Sequence, residues 1–274
     1  MTTSPREAAD LLARHGLAPR RSLGQNFVVD PNTVRRIARL AQVGAGDQVL
    51  EIGAGLGALT EALVATGATV TAVEVDRGLV GVLTERMAGL GVRIVEGDAR
   101  RLDWPAVLGD GDRWVLVANL PYNVATPLVA DLLDFVPAIQ RMLVMVQREV
   151  GERLAARPGD DGYGAVSVKV AYWATAAVVG RVPPTVFLPR PKVESALVAI
   201  TRRPEPAVGP EVDRDGLFTL VRTGFGQRRK MLRRSLAALV APADFEAAGI
   251  RPEARAEELG VEDWGRLAAV VQGR

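Results

Sequence analysis

The stretch that decides the fold is "LEIGAGLGALTE", at residues 50–61. The apolar residues at its start predict a buried strand, and the apolar periodicity of 58–67 predicts a helix. Between strand and helix, Gly53, Gly55 and Gly57 allow a turn in which the backbone approaches a ligand closely. A strand, a glycine turn and a helix in this order are typical of nucleotide-binding α/β folds.

The chain around this stretch alternates between short apolar strands and helices of about ten residues. Strands are predicted at 47–55, 68–76, 92–100, 113–118 and 141–147. Helices are predicted at 5–15, 30–43, 58–67, 77–90 and 126–136. This alternation predicts a Rossmann-like α/β fold, in which a parallel sheet carries helices on both faces.

The pattern changes after residue 160. The stretches 165–182 and 194–203 predict further strands, added antiparallel at the sheet edge. Residues 202–213, "RRPEPAVGPEVD", are rich in proline and lack apolar periodicity, so they are the best candidate for a linker. The remainder predicts short helices. We therefore expect a catalytic domain at 1–203 and a small all-helical C-terminal domain at 204–274.

Composition excludes several kinds of chemistry. The 274 residues are 48% hydrophobic and 24% charged, as in ordinary soluble globular proteins. We find neither an apolar run of membrane-spanning length nor a signal-peptide pattern, so we expect a cytoplasmic protein. There is no cysteine, and His15 is the only histidine. Thiol nucleophiles are thus excluded, and a histidine triad or zinc site is strongly disfavoured, so we expect no metal.

Basic residues cluster although the net charge is only +2. Residues 222–234, "RTGFGQRRKMLRR", contain six basic residues and no acidic one, and 14–27 is also basic. Such clustering indicates a polyanionic partner more strongly than the total charge does.

Two acidic residues extend the glycine turn into a candidate cofactor site. Glu74 ends the second predicted strand, where a carboxylate can accept hydrogen bonds from ribose hydroxyls. Asp98 follows the third strand and can bind the exocyclic amine of an adenine. The spacing of Gly53, Gly55 and Ala58 also fits a dinucleotide dehydrogenase. S-adenosyl-L-methionine suits the site better, because it has no pyrophosphate to be repelled by the acidic residue before the turn.

The stretch "NLPYN" (119–123) ends the fourth predicted strand at the edge where ligands bind. The Asn119 side-chain oxygen and the Leu120 carbonyl can accept the two N–H groups of an aromatic amine and make its nitrogen more nucleophilic. Pro121 stiffens the turn. Tyr122 offers a face on which an unstacked base can lie. The group predicts a methyltransferase that acts on a base amine.

Motifs over nearly the whole chain resemble the ribosomal RNA adenine N6,N6-dimethyltransferases of the small-subunit type. The motifs that occur in the family's order are "LGQNFVVD" (23–30), "EIGAGLGALT" (51–60), "VEVD" (73–76), "GDA" (97–99), "NLPYN" (119–123), "MVQREVGERL" (145–154), "FLPRPKVES" (187–195) and "FGQRRKMLRRSL" (225–236).

The resemblance implies roles for individual residues. Cofactor binding is implied for Asn26, Val28, Gly53, Gly55, Glu74, Asp98 and Asn119. Catalytic roles are implied for Asn119, Leu120, Tyr122 and Phe187, with Phe187 stacking on the target base opposite Tyr122. Contacts to rRNA phosphates are expected from a basic helix that carries Arg228, Arg229, Lys230, Arg233 and Arg234.

The resemblance also implies the reaction: dimethylation of N6 in two adjacent adenosines near the 3′ end of 16S rRNA. The expected partner is an assembly intermediate of the small ribosomal subunit. We expect a monomeric enzyme that does not bind a membrane. The nearest alternative is dimethylation of a large-subunit (23S) rRNA adenine, which confers antibiotic resistance. Two further alternatives are a mainly non-catalytic assembly factor and, more distantly, a dehydrogenase.

Overall fold

The computed structural model describes residues 4–121 and 124–273. The chain forms two compact units, one containing residues 1–151 and 177–201 and the other residues 152–176 and 202–274. The sequence placed the boundary after residue 203, whereas in the structure 152–176 belongs to the C-terminal unit. The activities assigned to the two parts stay predictions.

The main sheet lies mostly in the first unit and has seven strands in the part of the chain that is described. They are β2 (Gln48–Ile52), β3 (Thr69–Glu74), β4 (Arg93–Glu96), β5 (Trp114–Asn119), β6 (Ile139–Gln147), β7 (Ala174–Val182) and β9 (Ser195–Arg202), in the order β4-β3-β2-β5-β6-β9-β7. The first five of this order are parallel, and β9 is antiparallel to β6. The predicted Rossmann-like sheet is confirmed.

Seven helices accompany this sheet in the described ranges, and five of them begin within one residue of a predicted start, whereas those at 104–108 and 148–155 were not predicted. They are α1 (Pro5–Arg14), α2 (Pro31–Ala41), α3 (Ala58–Val64), α4 (Arg77–Arg86), α5 (Trp104–Leu108), α6 (Ala125–Phe135) and α7 (Arg148–Ala155), the last of which continues into the second unit. The start of α2 shows why: the Asp30 carboxylate accepts from the Thr33 amide, and Pro31 occupies the first helical position. No helix in the described ranges is long and apolar enough to cross a bilayer.

A separate pair of short strands lies beside the glycine turn. Strand β1 (Phe27–Val28) pairs antiparallel with β8 (Phe187–Leu188), so that Val28 stands opposite Phe187. This pairing joins two segments that are about 160 positions apart in the chain. It brings the end of the "LGQNFVVD" motif next to the start of the "FLPRPKVES" motif.

The second unit is mainly helical and has its own core. It contains α8 (Ala165–Trp173), α9 (Arg214–Gly226), α10 (Leu232–Ser235), α11 (Pro242–Ala247) and α12 (Val261–Gln272). Trp264 is fully buried at its centre, and the Tyr163 hydroxyl donates to the Leu259 carbonyl at 2.8 Å.

The prediction of strand over 165–182 is wrong in its first half, where α8 forms. Its β-branched residues favour strand, but Val168 and Tyr172 face the core of the helical unit, and burial there outweighs the local preference. The predicted linker also packs on this core. Val208 and Val212 are buried in it, and the Ala207 amide donates to the Tyr172 carbonyl.

The predicted basic helix is not one helix. Helix α9 ends at Gly226 and α10 begins at Leu232, so 227–231 form a non-helical connection between them. Two glycines at 224 and 226 near the end of α9 weaken its continuation, because glycine is a poor helix former. The basic side chains are therefore presented from a turn and from the first residues of α10.

A carboxyl group lies inside the sheet of the first unit. Glu51 stands in the central strand β2 between Ala72 and Val117, with 1% of its surface exposed. Its Oε2 and the nearby Thr60 hydroxyl oxygen have no hydrogen-bond partner among the described residues. Burial, with a smaller contribution from the charge of Glu74, raises the pKa of Glu51 to about 8 against the opposing effect of Thr60. The group is therefore mostly neutral near pH 7.

This raised pKa predicts a pH-dependent stability. Between about pH 4.5, the value for an unperturbed glutamate, and pH 8, the folded protein binds more protons at Glu51 than the unfolded chain does. The stability that protonation of Glu51 contributes is complete below this pH window and is lost as the pH rises through it. We expect Glu51→Gln, which stays neutral, to flatten the decline in unfolding free energy over this window. At pH 8.5 it should raise the stability by up to a few kcal/mol.

Urea denaturation of the cofactor-free protein at several pH values measures this effect. Glu96→Gln on β4 removes an exposed carboxyl group and serves as the control, with a pH dependence like that of the wild type. An unaltered pH dependence in Glu51→Gln would contradict the prediction.

Candidate active site

The carboxyl ends of four parallel strands bring the predicted site residues to one edge of the sheet. In the strand register, Ile52 lies beside both Val73 and Ala118, and Glu74 lies beside Glu96. Gly53, Glu74, Asp98 and Asn119 therefore follow or end β2, β3, β4 and β5 at the same edge. This is the edge at which ligands bind in open α/β sheets.

Glu74 is the anchor of the site. The residue is 4% exposed, and its carboxylate accepts three backbone N–H groups, from Gly55 at 2.8 Å and from Val75 and Asp76 at 2.9 Å. Burial raises the pKa of Glu74, and the three amides oppose that rise. A carboxylate has about four acceptor positions, so capacity remains for a ligand hydroxyl.

The glycine turn needs glycine for conformation and for space. Gly53 and Gly55 have φ angles of 77° and 57°, in the left-handed region that other residues rarely adopt. A β-carbon on Gly55 would lie 2.9 Å from Cδ1 of Phe27, closer than carbon atoms pack. The turn therefore packs against Phe27 on one side, and the Gly55 amide binds the Glu74 carboxylate.

Asn119 has a defined orientation. Its Nδ2 donates to the Asn26 carbonyl at 2.9 Å, which places the oxygen of the same amide on the other side. No described residue donates to that Oδ1. The neighbouring Leu120 amide donates to Met145, and no described backbone amide donates to the Leu120 carbonyl. Two acceptors at the end of β5 therefore have no donor among the described residues, and both residues line the same pocket.

One pocket is lined by all the predicted cofactor residues except Asp98, together with Glu51, Leu120 and Pro121. Asp98 lines an adjoining pocket that shares Gly53 and Pro121 with the first. The side chain of Arg100 binds the Asp98 carboxylate at 2.8 Å and 3.2 Å, and this pairing lowers the pKa of Asp98. The carboxylate is thus held as an anion in the lining of the second pocket.

The predicted aromatic clamp is only partly described. Phe187 is 4% exposed and packs in an apolar cluster with Val28, Val182 and Leu197. Tyr122 and its neighbour at position 123 lie outside the described residues. Stacking of a base on Phe187 requires that its ring be uncovered, so the clamp stays a prediction.

Two residues that the sequence reasoning missed connect the site to the N-terminal segment. The Asp76 carboxylate is buried and accepts from the Gln25 side chain at 2.9 Å, and Arg20 lies 3.4 Å from its other oxygen. Gln25 and Asp76 lie in motifs that were recognised, "LGQNFVVD" and "VEVD", whereas Arg20 precedes them. The sequence carried no sign that these motifs touch each other.

The basic residues of the second unit divide into two groups. Arg228 forms an ion pair with Glu257 at 2.6 Å, and Arg233 forms one with Glu253 at 3.1 Å. Arg229, Lys230 and Arg234 are exposed and have no ion pair with any residue that the structure describes.

Comparison with known proteins agrees with this geometry. The family model described as ribosomal RNA adenine dimethylase matches residues 16–272. The chain is 46% identical to the ribosomal RNA small subunit methyltransferase A of Thermobifida fusca, over 97% of this chain and 94% of that protein. It is 48% identical to the protein of the same name from Cutibacterium acnes, over 94% and 89%.

Solved structures agree as well. A dimethyladenosine transferase from Plasmodium falciparum superposes with a TM-score of 0.73 at 25% identity, covering 87% of this chain and 94% of that one. The 23S rRNA methyltransferase ErmE superposes with a TM-score of 0.70 at 26% identity, covering 90% and 99%. The resemblance found from the motifs is thereby confirmed: the chain belongs to the ribosomal RNA adenine dimethylase family.

Proposed function

We propose that the protein transfers methyl groups from S-adenosyl-L-methionine to N6 of two adjacent adenosines near the 3′ end of 16S rRNA, two to each. The observation that carries this proposal is the orientation of the Asn119 side chain. Its amide is fixed by Asn26 so that an acceptor oxygen points away at the strand edge, beside a pocket lined by the glycine turn and Glu74. The acceptor suits an amine substrate, and the pocket suits a nucleoside cofactor.

The pocket fits S-adenosyl-L-methionine in its donors and acceptors. The remaining acceptor position of Glu74 suits a ribose hydroxyl, and Asp98 suits the amine of an adenine. The backbone at Gly53 and Gly55 lines the pocket, and the exposed Gly53 lets the methionine part approach the turn closely. When bound, the cofactor supplies an electrophilic methyl group. The residues of the protein then have to bind and orient the acceptor.

Activation of the target amine follows from the two acceptors at the end of β5. The lone pair of an adenine amine is delocalised into the ring, which makes the nitrogen a weak nucleophile. Hydrogen bonds to Asn119 Oδ1 and to the Leu120 carbonyl draw both N–H groups out of conjugation and favour a tetrahedral nitrogen. No strong base is needed, because the nitrogen becomes acidic once it is methylated. This agrees with a chain that has one histidine and no cysteine.

The second methyl transfer limits how the base is held. After the first transfer only one N–H group remains, so one of the two acceptors loses its donor. Stacking then has to position the base, and we propose Tyr122 and Phe187 for this role. A base stacked on an aromatic ring gains roughly 1–3 kcal/mol without depending on its hydrogen bonds.

The small-subunit target is favoured by the relatives with high identity. Proteins named ribosomal RNA small subunit methyltransferase A match over nearly their full length at 44–48% identity, whereas the 23S enzyme ErmE is 26% identical. We propose that a monomer acts on an assembly intermediate of the small subunit in the cytoplasm.

Three alternatives to this function predict different experimental results. Labelled methyl transfer onto undermethylated small and large subunits, followed by digestion and mapping, separates the two rRNA targets. Label found only in the large subunit would overturn the proposed target. Binding without any transfer would indicate an assembly factor. A preference for NAD over S-adenosyl-L-methionine in a binding assay would indicate a dehydrogenase.

Contacts to rRNA are proposed for the five basic residues of the second unit. Phosphate contacts depend on available positive charge. Arg229, Lys230 and Arg234 supply it directly. Arg228 and Arg233 already bind carboxylates, and each has to exchange its partner or share it. We therefore propose that the three unpaired residues contribute most of the electrostatic attraction.

Asn119→Ala tests the activation of the amine. We expect turnover to fall by about two orders of magnitude, because one of the two groups that stabilise the tetrahedral nitrogen is removed. Cofactor affinity should fall less, by about tenfold, because the hydrogen bond from Asn119 to Asn26 is lost while Glu74, Gly55 and Asp98 remain. Single-turnover methyl transfer and calorimetric binding of the cofactor measure the two effects. Asn32→Ala, an exposed asparagine on α2, is the control, and turnover near the wild-type value in Asn119→Ala would refute the role.

Neutralising the unpaired basic residues tests the rRNA contact. We expect the triple change of Arg229, Lys230 and Arg234 to Gln to weaken binding to small subunits. The slope of log affinity against log salt should become shallower by roughly two to three, because fewer counterions are released. The double change of Arg228 and Arg233 to Gln is the matched control and should alter the slope less. Equal slopes in the wild type and the triple variant would indicate that these residues form only a solvated face.

A further inference from the structure

Residues 20–26, here called the N-terminal strap, line the cofactor pocket and its neighbour. The pocket beside the glycine turn is lined by Leu23, Gly24, Gln25 and Asn26 of the strap, and the pocket beside Asp98 by Ser22 and Leu23. The strap contains only a short 3-10 turn at 21–23, so regular secondary structure does little to hold it in place.

We propose that Asp76 is a positioning residue that fastens the N-terminal strap over the cofactor pocket and couples the strap to Glu74. The proposal rests on the proposed function, because it concerns the binding of that cofactor. It assigns to Asp76 and Gln25 a role in forming the site without contact to the reacting atoms.

Asp76 binds groups from three segments of the first unit. Its Oδ2 accepts from Nε2 of Gln25 at 2.9 Å, and its Oδ1 accepts from the Gly78 amide at 3.0 Å. The Arg20 guanidinium lies 3.4 Å from Oδ1. The Asp76 amide in turn donates to Glu74 Oε1 at 2.9 Å. One residue thus joins the strap, the start of α4 and the carboxylate expected to bind the ribose.

The strap is closed on itself and fixed at a second point. The Arg20 amide donates to Oε1 of Gln25 at 2.7 Å, so both polar atoms of the Gln25 side chain are used within this cluster. At the other end of the strap, the Asn26 carbonyl accepts from Asn119 at 2.9 Å. The strap is therefore tied to the end of β3 through Asp76 and to the end of β5 through Asn119.

Helix capping alone does not account for Asp76. A cap needs one oxygen, as at Asp103, whose Oδ1 accepts from the Ala106 amide at the start of α5. Asp76 uses its second oxygen on Gln25 and is 4% exposed. A buried carboxylate destabilises the fold unless it is paired and hydrogen-bonded, so the contacts from the strap are part of what keeps Asp76 in place.

The contacts imply a reciprocal coupling. A strap that is held by Asp76 forms one wall of the pocket, so its release removes contacts from a bound cofactor. Binding of the cofactor stabilises the held strap by the same free energy. We therefore expect cofactor binding to protect the strap, and loss of the tether to weaken cofactor binding.

Gln25→Ala is the principal test because it removes the hydrogen bond from the strap to Asp76 and leaves the cap of α4 intact. Hydrogen exchange of residues 20–28 is measured by mass spectrometry without ligand and with S-adenosylhomocysteine, and the affinity for that ligand by calorimetry. In the variant we expect faster exchange of the strap without ligand. We also expect affinity weaker by about tenfold, the effect of losing one hydrogen bond to a charged group. Asp76→Asn should change the exchange and the affinity in the same directions, because the charge that binds Arg20 and Gln25 is lost.

Asp103→Asn is the matched control, an aspartate that caps a helix away from the strap, and it should leave both measurements at wild-type values. Wild-type exchange of 20–28 in Gln25→Ala and in Asp76→Asn would overturn the proposal. Hydrogen exchange measured without ligand tests the tether even if the wild-type protein does not bind S-adenosylhomocysteine. Failure of this proposal can therefore be distinguished from failure of the proposed function. Thermal unfolding of each variant identifies any general loss of structure.

Discussion

The site depends on the buried carboxylate of Glu74 at the end of β3. A carboxylate at this depth is stable only when its oxygens are hydrogen-bonded, and three backbone amides provide these bonds. One of them comes from Gly55, so the same interaction sets the path of the glycine turn. Another comes from Asp76, which starts α4 and binds the strap. Strand end, turn, helix and strap are therefore arranged around a single charged group.

Much of this arrangement could be predicted from the sequence because it is local or follows from the topology. The apolar strands and their glycine turn indicated a parallel sheet, and parallel strands place their carboxyl ends at one edge. The residues at those ends, Gly53, Glu74, Asp98 and Asn119, were therefore predicted to meet, and the structure brings them to adjoining pockets. The identities of these side chains then indicated the chemistry.

The remaining features arise from contacts between distant parts of the chain. The contact of Gln25 with Asp76 joins positions 51 apart, and no local pattern encodes it. The stretch that forms α8 has the β-branched composition of a strand, but it is buried among the helices of the second unit. The pairing of Arg228 and Arg233 with glutamates also depends on tertiary structure. A cluster of basic residues in the sequence therefore overstates the charge that is available to RNA.

In the proposed mechanism, the orientation of Asn119 connects cofactor binding to activation of the target. An unconstrained amide can present either its oxygen or its nitrogen, and only the oxygen accepts the N–H group of an adenine. The Asn26 carbonyl accepts from Nδ2, and this hydrogen bond selects the orientation in which Oδ1 is available. Asn26 belongs to the strap, which lines the cofactor pocket. If Asn119 activates the amine as we propose, the strap that lines the cofactor pocket also selects the acceptor that the amine meets.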